Sequence, residues 1–342
     1  MHNRSMNNRE LSELFDKFNS LTALVIGDVM IDAYYWGKVE RISPEAPVPV
    51  VQVQQKENRL GGAANVALNI KSLGGKAIIC SVVGDGNKGD IFRTTLKENN
   101  FTTEGIIDSP HRTTTVKTRV ISQGQHMLRV DEEITTPLSA TDERHLLDCV
   151  KNILTKQSVD VIIFEDYNKG ILTEKVISTV ISWAKEKNIP TTVDPKKTNF
   201  FAYKGVSLFK PNLKELKEGL KLDFDKHDFD ALRSSILQLE EELGNDVTMV
   251  TLSELGVMTK DNKGFHHTEA HLRKILDVSG AGDTVISVAS LALAAKANTA
   301  DFSALANLAG GLVCEKVGVV PIDKELLLKE ALLKISSEHI TI

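Results

Sequence analysis

Val159-Asp160-Val161-Ile162-Ile163-Phe164-Glu165-Asp166, then Thr173 to Lys187, then Pro190-Thr191-Thr192-Val193-Asp194-Pro195, is the stretch that decides the fold. The first piece is a short apolar run ending in two carboxylates, the pattern of a strand buried on both faces. The second carries helical periodicity, and the third is another short strand that ends in an acid. Strand, helix and strand in that order make a right-handed crossover, which lays the two strands parallel in one sheet. The alternation continues with strands at Val206 to Phe209 and Val247 to Leu252. Between them lie helices at Leu213 to Leu220 and Ala231 to Leu243, the latter stopped by Gly244. Upstream, Leu21 to Ile26 runs into Gly27-Asp28 as a first strand. These segments predict an α/β fold with a central, mostly parallel sheet flanked by helices on both faces. Ligands of such sheets sit beyond the carboxyl ends of the strands. The residues to read are therefore Asp28, Glu165, Asp166, Asp194, Asn212, Ser253 and Asp283.

Two stretches break the alternation. Ser43 to Pro49 holds three prolines and cannot be helix, and it leads into the edge-strand pattern of Val50, Val51 and Val53. Thr113 to Asp131 alternates like a hairpin, with Gly124 as its turn. We expect a small β-sheet lid, formed by about 34–54 and 113–131, inserted in a single domain spanning 1–342. A small lid cannot bury both faces of these strands, so a two-fold homodimer that pairs two lids is expected. Between Gly27 and Gly37, Asp28 and Asp32 are spaced to share a strand face or a turn.

The composition, with 42% hydrophobic and 25% charged residues, is that of an ordinary globular chain rather than a disordered one. A formal charge of −5 argues against a nucleic-acid binder that works through bulk positive field. Cys80, Cys149 and Cys314 are scattered without metal-ligand spacing, which fits reduced thiols. Leu11, Leu14, Phe15 and Phe18 mark an amphipathic N-terminal helix rather than a signal peptide, and no run is long enough to span a membrane. A cytoplasmic protein with small-molecule substrates is expected.

Two glycine sites carry the chemistry. Asp277-Val278-Ser279-Gly280-Ala281-Gly282-Asp283-Thr284 precedes an apolar helix, and Leu272 to Leu276 before it reads as a strand. Glycines let a ligand approach the main chain, and the first turn of a helix offers unpaired N–H groups and a positive dipole end. The result is an oxyanion cradle with a carboxylate at its mouth; the bland alternative is a helix cap at Asp283. Leu60-Gly61-Gly62-Ala63-Ala64-Asn65 is the second site, where backbone contact and the Asn65 amide suit a sugar hydroxyl. A tight turn before a helix is its alternative.

Together these two motifs resemble the paired signatures of the PfkB (ribokinase-like) carbohydrate kinases, and the resemblance runs from Gly27-Asp28 to the Asn307-to-Gly318 segment. It implies ATP-dependent phosphoryl transfer to a sugar hydroxyl on a ribokinase-like fold. Asp283 then matches the catalytic base, and Gly280, Ala281 and Gly282 the anion hole. Asp28, Gly61, Gly62 and Asn65 match sugar-binding positions. Asn212-Leu213-Lys214-Glu215 matches an Asn-x-x-Glu element tied to Mg²⁺, with Glu215 as the metal-associated residue; its alternative is a capped helix start after Pro211. Thr251, Ser253 and Gly256 match the start of the nucleotide pocket and Asn307 its adenine side, or else a helix-packing asparagine. A monovalent cation such as K⁺ is a further expected cofactor, and family kinases also dimerise through their lids.

Arg41 to Pro49, Lys117-Thr118-Arg119-Val120, Leu128-Arg129-Val130-Asp131, Asp166-Tyr167-Asn168-Lys169-Gly170 and Asp194-Pro195-Lys196 resemble one branch, the D-glycero-D-manno-heptose 7-phosphate kinases. Those enzymes make heptose 1,7-bisphosphate for lipopolysaccharide precursors, and the chain length suggests the stand-alone form. Arg129 and Lys169 are expected to clamp the substrate phosphate, with Arg119 and Lys196 as secondary candidates. Leu252, Glu165, Lys197 and Gln123-Gly124 depart from the relatives' usual Arg, Ser, Gly and Arg-Asn. Other readings are a different sugar or nucleoside kinase of the family and a non-catalytic sugar-phosphate or nucleotide sensor. Gly84-Asp85-Gly86-Asn87-Lys88-Gly89 satisfies a dinucleotide fingerprint, but on a later strand and beside a better anion site at Asp283. A zinc site at His266, His267 and His271 lacks a fourth ligand.

Overall fold

The computed structural model describes residues 6–335. Thirteen strands form two sheets among the described residues. In the body they are β1 (Thr22–Gly27), β4 (Lys76–Gly84), β5 (Ile106–Ser109), β8 (Val161–Glu165), β9 (Thr191–Asp194), β10 (Leu208–Phe209), β11 (Val247–Thr251), β12 (Val257–Asp261) and β13 (Gly264–Thr268). The lid holds β2 (Val29–Ile42), β3 (Pro49–Gly62), β6 (Thr115–Ser122) and β7 (Gln125–Glu132). The large sheet runs β13-β12-β11-β10-β9-β8-β1-β4-β5. It is parallel throughout except where β12 and β13 turn back.

Side chains alternate across this sheet as a strand covered on both faces requires. Ala23 and Val25 of β1, with Val161 and Ile163 of β8, face one hydrophobic cluster. Leu24, Ile26, Ile162 and Phe164 face the other. Helices Asn8–Phe18, Ala63–Ser72, Ala281–Ala294, Thr299–Val313 and Lys324–Lys334 cover the first face. Helices Ala140–Lys156, Glu174–Glu186, Leu213–Leu220 and Phe229–Leu243 cover the second. No helix of the described residues is long and apolar enough to cross a membrane.

The strand order reverses between β1 and β8, and a crevice opens there beyond the strand ends. The two strands approach so closely that a side chain at Gly27 would stand on the Glu165 carbonyl. Asp28 N then donates to that same carbonyl at 3.0 Å, fixing where the chain leaves the sheet for the lid.

The lid is larger than the sequence suggests. Its sheet runs β3-β2-β6-β7 and takes in Val29 to Gly62 as one long, bulged hairpin, rather than 34–54 alone. The expected strand at Leu272 to Leu276 does not form. Leu276 N and Asp277 N donate instead to the Cys314 carbonyl, and Arg273 is pinned to Glu315 and Glu330. The segment is thus tied to helix ends, not to a neighbouring strand.

Asn69 joins three elements behind the crevice. Its Oδ1 accepts from Thr284 Oγ1 at 3.0 Å and from Ile322 N at 2.9 Å, and its Nδ2 donates to the Asn65 carbonyl at 2.9 Å. Truncation would orphan buried donors, each costing about 1–3 kcal/mol. Asn69→Ala should therefore lower the unfolding free energy by about 2–4 kcal/mol in urea, with an unchanged slope. A loss under about 0.5 kcal/mol would show that the three elements are held by packing alone.

Candidate active site

The crevice is built around the start of helix Ala281–Ala294. Asp277 shapes the turn before it: Oδ1 accepts from Ser279 N at 2.9 Å and Oδ2 from Gly318 N at 2.8 Å. Gly280, the N-cap, sits at φ 80°, a left-handed conformation that favours glycine, and no side chain caps the helix. The helix mouth is therefore left to a ligand. A Cβ on Gly282 would lie 3.3 Å from an Asp194 oxygen and 3.8 Å from Lys210 Nζ, so the cradle rests on that ion pair.

Asp283 does not cap its own helix. Its Oδ2 accepts from Asn65 Nδ2 at 2.7 Å and its Oδ1 from the Tyr167 hydroxyl at 2.7 Å. Burial pushes its carboxyl up to about 6, with these two hydrogen bonds opposing the rise and Asp194 adding to it. A carboxylate near that value is ionised at neutral pH yet a stronger base than an exposed aspartate. The two glycine motifs, 218 residues apart at Asn65 and Asp283, thus meet in one hydrogen bond.

Asp28, expected to hold sugar hydroxyls, is turned elsewhere. It is buried, and its oxygens accept from Tyr167 N at 2.7 Å, Lys169 N at 3.0 Å and Ile171 N at 3.2 Å. It moulds the 167–171 loop, and through Tyr167 it supports Asp283. Asp32, four residues on, is a buried lid residue beside Gly61, where a Cβ would collide with its carboxylate. It is ion-paired with Arg119, which stacks over the Tyr34 ring. Gly62 sits at φ 60° under the Asp28 carbonyl, and Ala63 N donates to that carbonyl at 3.0 Å.

The basic residues divide. Lys117 and Arg119 of β6 pair with Asp131 and Arg129 of β7, so all four share the lid face that carries Asp32 and Tyr34. Arg129 is more than half exposed and held by Asp131 at 2.9 Å. Lys169 is mostly buried and paired with Glu133 at 2.8 Å. Lys117, which the sequence reading passed over, lies above the Tyr167 ring and has its ammonium pushed down by burial and by the nearby Lys169 charge. Lys196 faces the same ring and is shared between Asp194 at 3.3 Å and Glu215 at 2.6 Å.

On the other side of the cradle, a cavity of about 500 Å³ is lined by Thr251, Ser253, Gly256, Ala281, Gly282 and Asn307, among others. Asn307 Nδ2 donates to the Glu269 carbonyl at 2.8 Å, which orients it along the cavity wall. Leu252 points into the core, so this position offers no side chain to a ligand. Asn212 and Glu215 form a complete capping box, the alternative left open for this element, while Lys214 is exposed beside Glu218. Glu215 still offers a carboxylate next to Lys196 and Asp194. Those hard oxygen donors suit a hydrated Mg²⁺, which keeps most of its waters. At Gly84 and Gly89 added side chains would strike backbone carbonyls, so Gly84 already makes room for the loop at Arg112 and Gly89 for the strand end at Gly84.

A "Bifunctional protein HldE" of Syntrophotalea carbinolica is 39% identical over 94% of this chain, and the chain covers 65% of its length. The protein of that name from Helicobacter pylori strain J99 is 40% identical over 86% of this chain, which covers 63% of that protein. The chain thus spans just under two thirds of these relatives. Among solved structures, Escherichia coli phosphofructokinase-2 in complex with potassium superposes at TM-score 0.75 with 19% identity, over 92% of this chain and 99% of that one. Thermotoga maritima ribokinase gives 0.66 with 18% identity over 92% and 99%. These likenesses speak for the ribokinase-like fold. The model of the pfkB family carbohydrate kinases matches residues 21–325, and the chain belongs to that family.

Proposed function

We propose that the protein transfers the γ-phosphoryl of ATP to the anomeric hydroxyl of D-glycero-D-manno-heptose 7-phosphate, giving the 1,7-bisphosphate used in lipopolysaccharide precursor synthesis. The observation that carries this reading is the position of Asp283. It stands at the mouth of an uncapped helix, between a nucleotide-sized cavity and the basic face of a lid. Asp283 takes the hydroxyl proton as the sugar oxygen attacks phosphorus, and Asn65 and Tyr167 hold its carboxylate in line. The N–H groups from Gly280 to Asp283 receive the equatorial oxygens of the transferring group. Glu215 would hold Mg²⁺, which supplies charge neutralisation on the phosphates when bound. A monovalent cation such as K⁺ completes the assignment, supported by the potassium named for the phosphofructokinase-2 neighbour. Asp32, rather than Asp28, is the carboxylate placed to meet sugar hydroxyls.

The first test is Asp283→Asn, which should keep ATP binding within a few-fold while lowering turnover by about 10³ or more. Near-normal turnover would remove Asp283 from the base role. In the wild type, kcat should fall as pH drops through about 6, because the raised carboxyl is protonated there. A rate unchanged down to pH 5 would contradict that assignment.

The second test concerns the substrate phosphate. Arg129→Ala or Lys169→Ala should raise the KM for heptose 7-phosphate at least about tenfold, or roughly 1.4 kcal/mol, and leave the KM for ATP nearly unchanged. Lys117 belongs to the same clamp through its neighbour Lys169. Preference for an unphosphorylated sugar in a coupled ADP-release assay would overturn the clamp and the heptose assignment together. Binding without ADP release on any sugar would point to a sensor.

The lid also carries Ile42, Val48, Val53, Met127, Leu128 and Val130 as exposed apolar side chains. Pairing two lids would cover them and protect the edge strands β3 and β7. Light scattering at micromolar concentration should give a dimer, and a monomer alone would count against it.

A further inference from the structure

Tyr34 of β2 is fully buried, among the largest side chains so placed, and the proposed reaction leaves it unused. A tyrosine at this depth needs a hydrogen-bond partner for its hydroxyl. That partner is Val319 N, which donates to Tyr34 Oη at 3.2 Å. Arg59, on the neighbouring strand β3, completes the contact. Its Nη1 donates to the Val319 carbonyl at 3.3 Å, and its guanidinium lies 4.7 Å over the Tyr34 ring. Glu57 holds Arg59 in turn, accepting from Nε at 2.6 Å and from Nη2 at 3.1 Å. Two lid strands thus grip both backbone groups of one residue that is 285 and 260 positions away. The grip leaves no room for a side chain before it. A Cβ on Gly318, which sits at φ 78°, would stand 2.9 Å from Arg59 Nη1 and 3.2 Å from Tyr34 Oη.

The same two residues reach the helix mouth. Gly318 N donates to Asp277 Oδ2 at 2.8 Å, and Asp277 Oδ1 accepts from Ser279 N at 2.9 Å. The Val319 Cγ1 lies 3.3 Å from where a Cβ on Gly280 would stand, against the N-cap of helix Ala281–Ala294. Residues 318–319 therefore touch the lid on one side and the turn before the cradle on the other. On the lid, Arg119 lies 5.3 Å over the same Tyr34 ring and is ion-paired with Asp32. Loss of the Tyr34 hydroxyl would strand the buried Val319 N–H, which the backbone can relieve only by moving. Any such movement is passed to Gly280.

We propose that Tyr34 and Arg59 are positioning residues that couple the lid to the phosphate cradle, with residues 318–319 as the strut between them. A sugar phosphate that engages Asp32 and Arg119 bears on the Tyr34 ring, and the strut then fixes the Gly280 turn for the nucleotide. This deepens the kinase reading and rests on it for the identity of the two ligands, though not for the strut itself. Coupling of this kind is reciprocal, so each ligand tightens the binding of the other by the same factor. A tyrosine that only filled the root of the lid would leave the two sites independent.

The test compares the wild type with Tyr34→Phe, which removes the acceptor and keeps the ring, and with Val319→Ala. The second variant keeps both backbone hydrogen bonds and removes the contact with Gly280, and it carries the comparison should Tyr34→Phe not fold. In calorimetry, heptose 7-phosphate should tighten the binding of a non-hydrolysable ATP analogue to the wild type by about fivefold or more. In the variants that factor should fall below about twofold, with each ligand alone bound within about threefold of the wild type. Inactive protein would lower the number of sites titrated but not the factor, so a merely structural effect is told apart. A wild type without coupling, or variants that keep the wild-type factor, would overturn the proposal. Failure of heptose 7-phosphate to bind the wild type would instead fault the substrate reading, and hydrogen exchange of the unliganded chain then decides the strut. There Tyr34→Phe should speed exchange across 277–285 by about threefold or more while β8 and β9 keep their wild-type rates. Unchanged exchange across 277–285, or a uniform rise along the whole chain, overturns it.

Discussion

Two hydrogen bonds onto one carboxylate organise this molecule. Asn65 and Tyr167 reach Asp283 from opposite sides, one from the helix that follows the lid hairpin and the other from the loop that follows β8. Each donor is itself placed by a further constraint. Asn65 precedes Asn69, whose amide locks the same helix to Thr284 and to Ile322. The loop carrying Tyr167 is moulded on Asp28, which accepts three of its backbone N–H groups. The Asp283 carboxylate is therefore set by the closing of the sheet between β1 and β8, and a shift of either strand end would be felt there.

The electrostatics of the crevice follow from crowding carboxylates at that point. Asp28, Asp166, Asp194, Asp283 and Glu165 are all buried within the strand ends. The fold relieves their repulsion in three ways: backbone N–H donors for Asp28, tyrosine hydroxyls for Asp166 and Asp283, and lysines for Asp194. Burial nonetheless raises Asp166 as well as Asp283 to about 6. The site is thus tuned for accepting a proton near neutrality, while the basic side chains Lys117, Arg119 and Arg129 sit on the lid.

The lid shows how far a linear reading reaches. Its strands were legible from prolines and alternation, but its extent was not. Only Asp28 stands between β1 and β2, and β3 runs straight into helix Ala63–Ser72, so no turn separates the lid strands from the body. Arg129 and Lys169 were legible as basic positions by resemblance, whereas Lys117 required the β6–β7 register and the Tyr167 ring to become visible. The reverse happened at Leu272 to Leu276, where an apolar run looked like a strand. Its backbone finds the Cys314 carbonyl instead of a neighbour in the sheet.

What the sequence by itself determined is the α/β alternation, the parallel order it imposes and the two glycine motifs. Period and spacing are local properties, and crossover handedness turns them into topology. What only the tertiary structure decided is which polar atoms are left over once the chain closes. Asp28 and Asp32 look interchangeable along the chain, yet one is consumed by a loop and the other sits beside Gly61, paired with Arg119. Glu165 reads as one more acid at a strand end. Its unpartnered burial arises because Lys196 and Lys210, remote in sequence, are drawn to Asp194 first. Hydrogen-bond satisfaction is a sum over neighbours in space, and no window of sequence contains those neighbours.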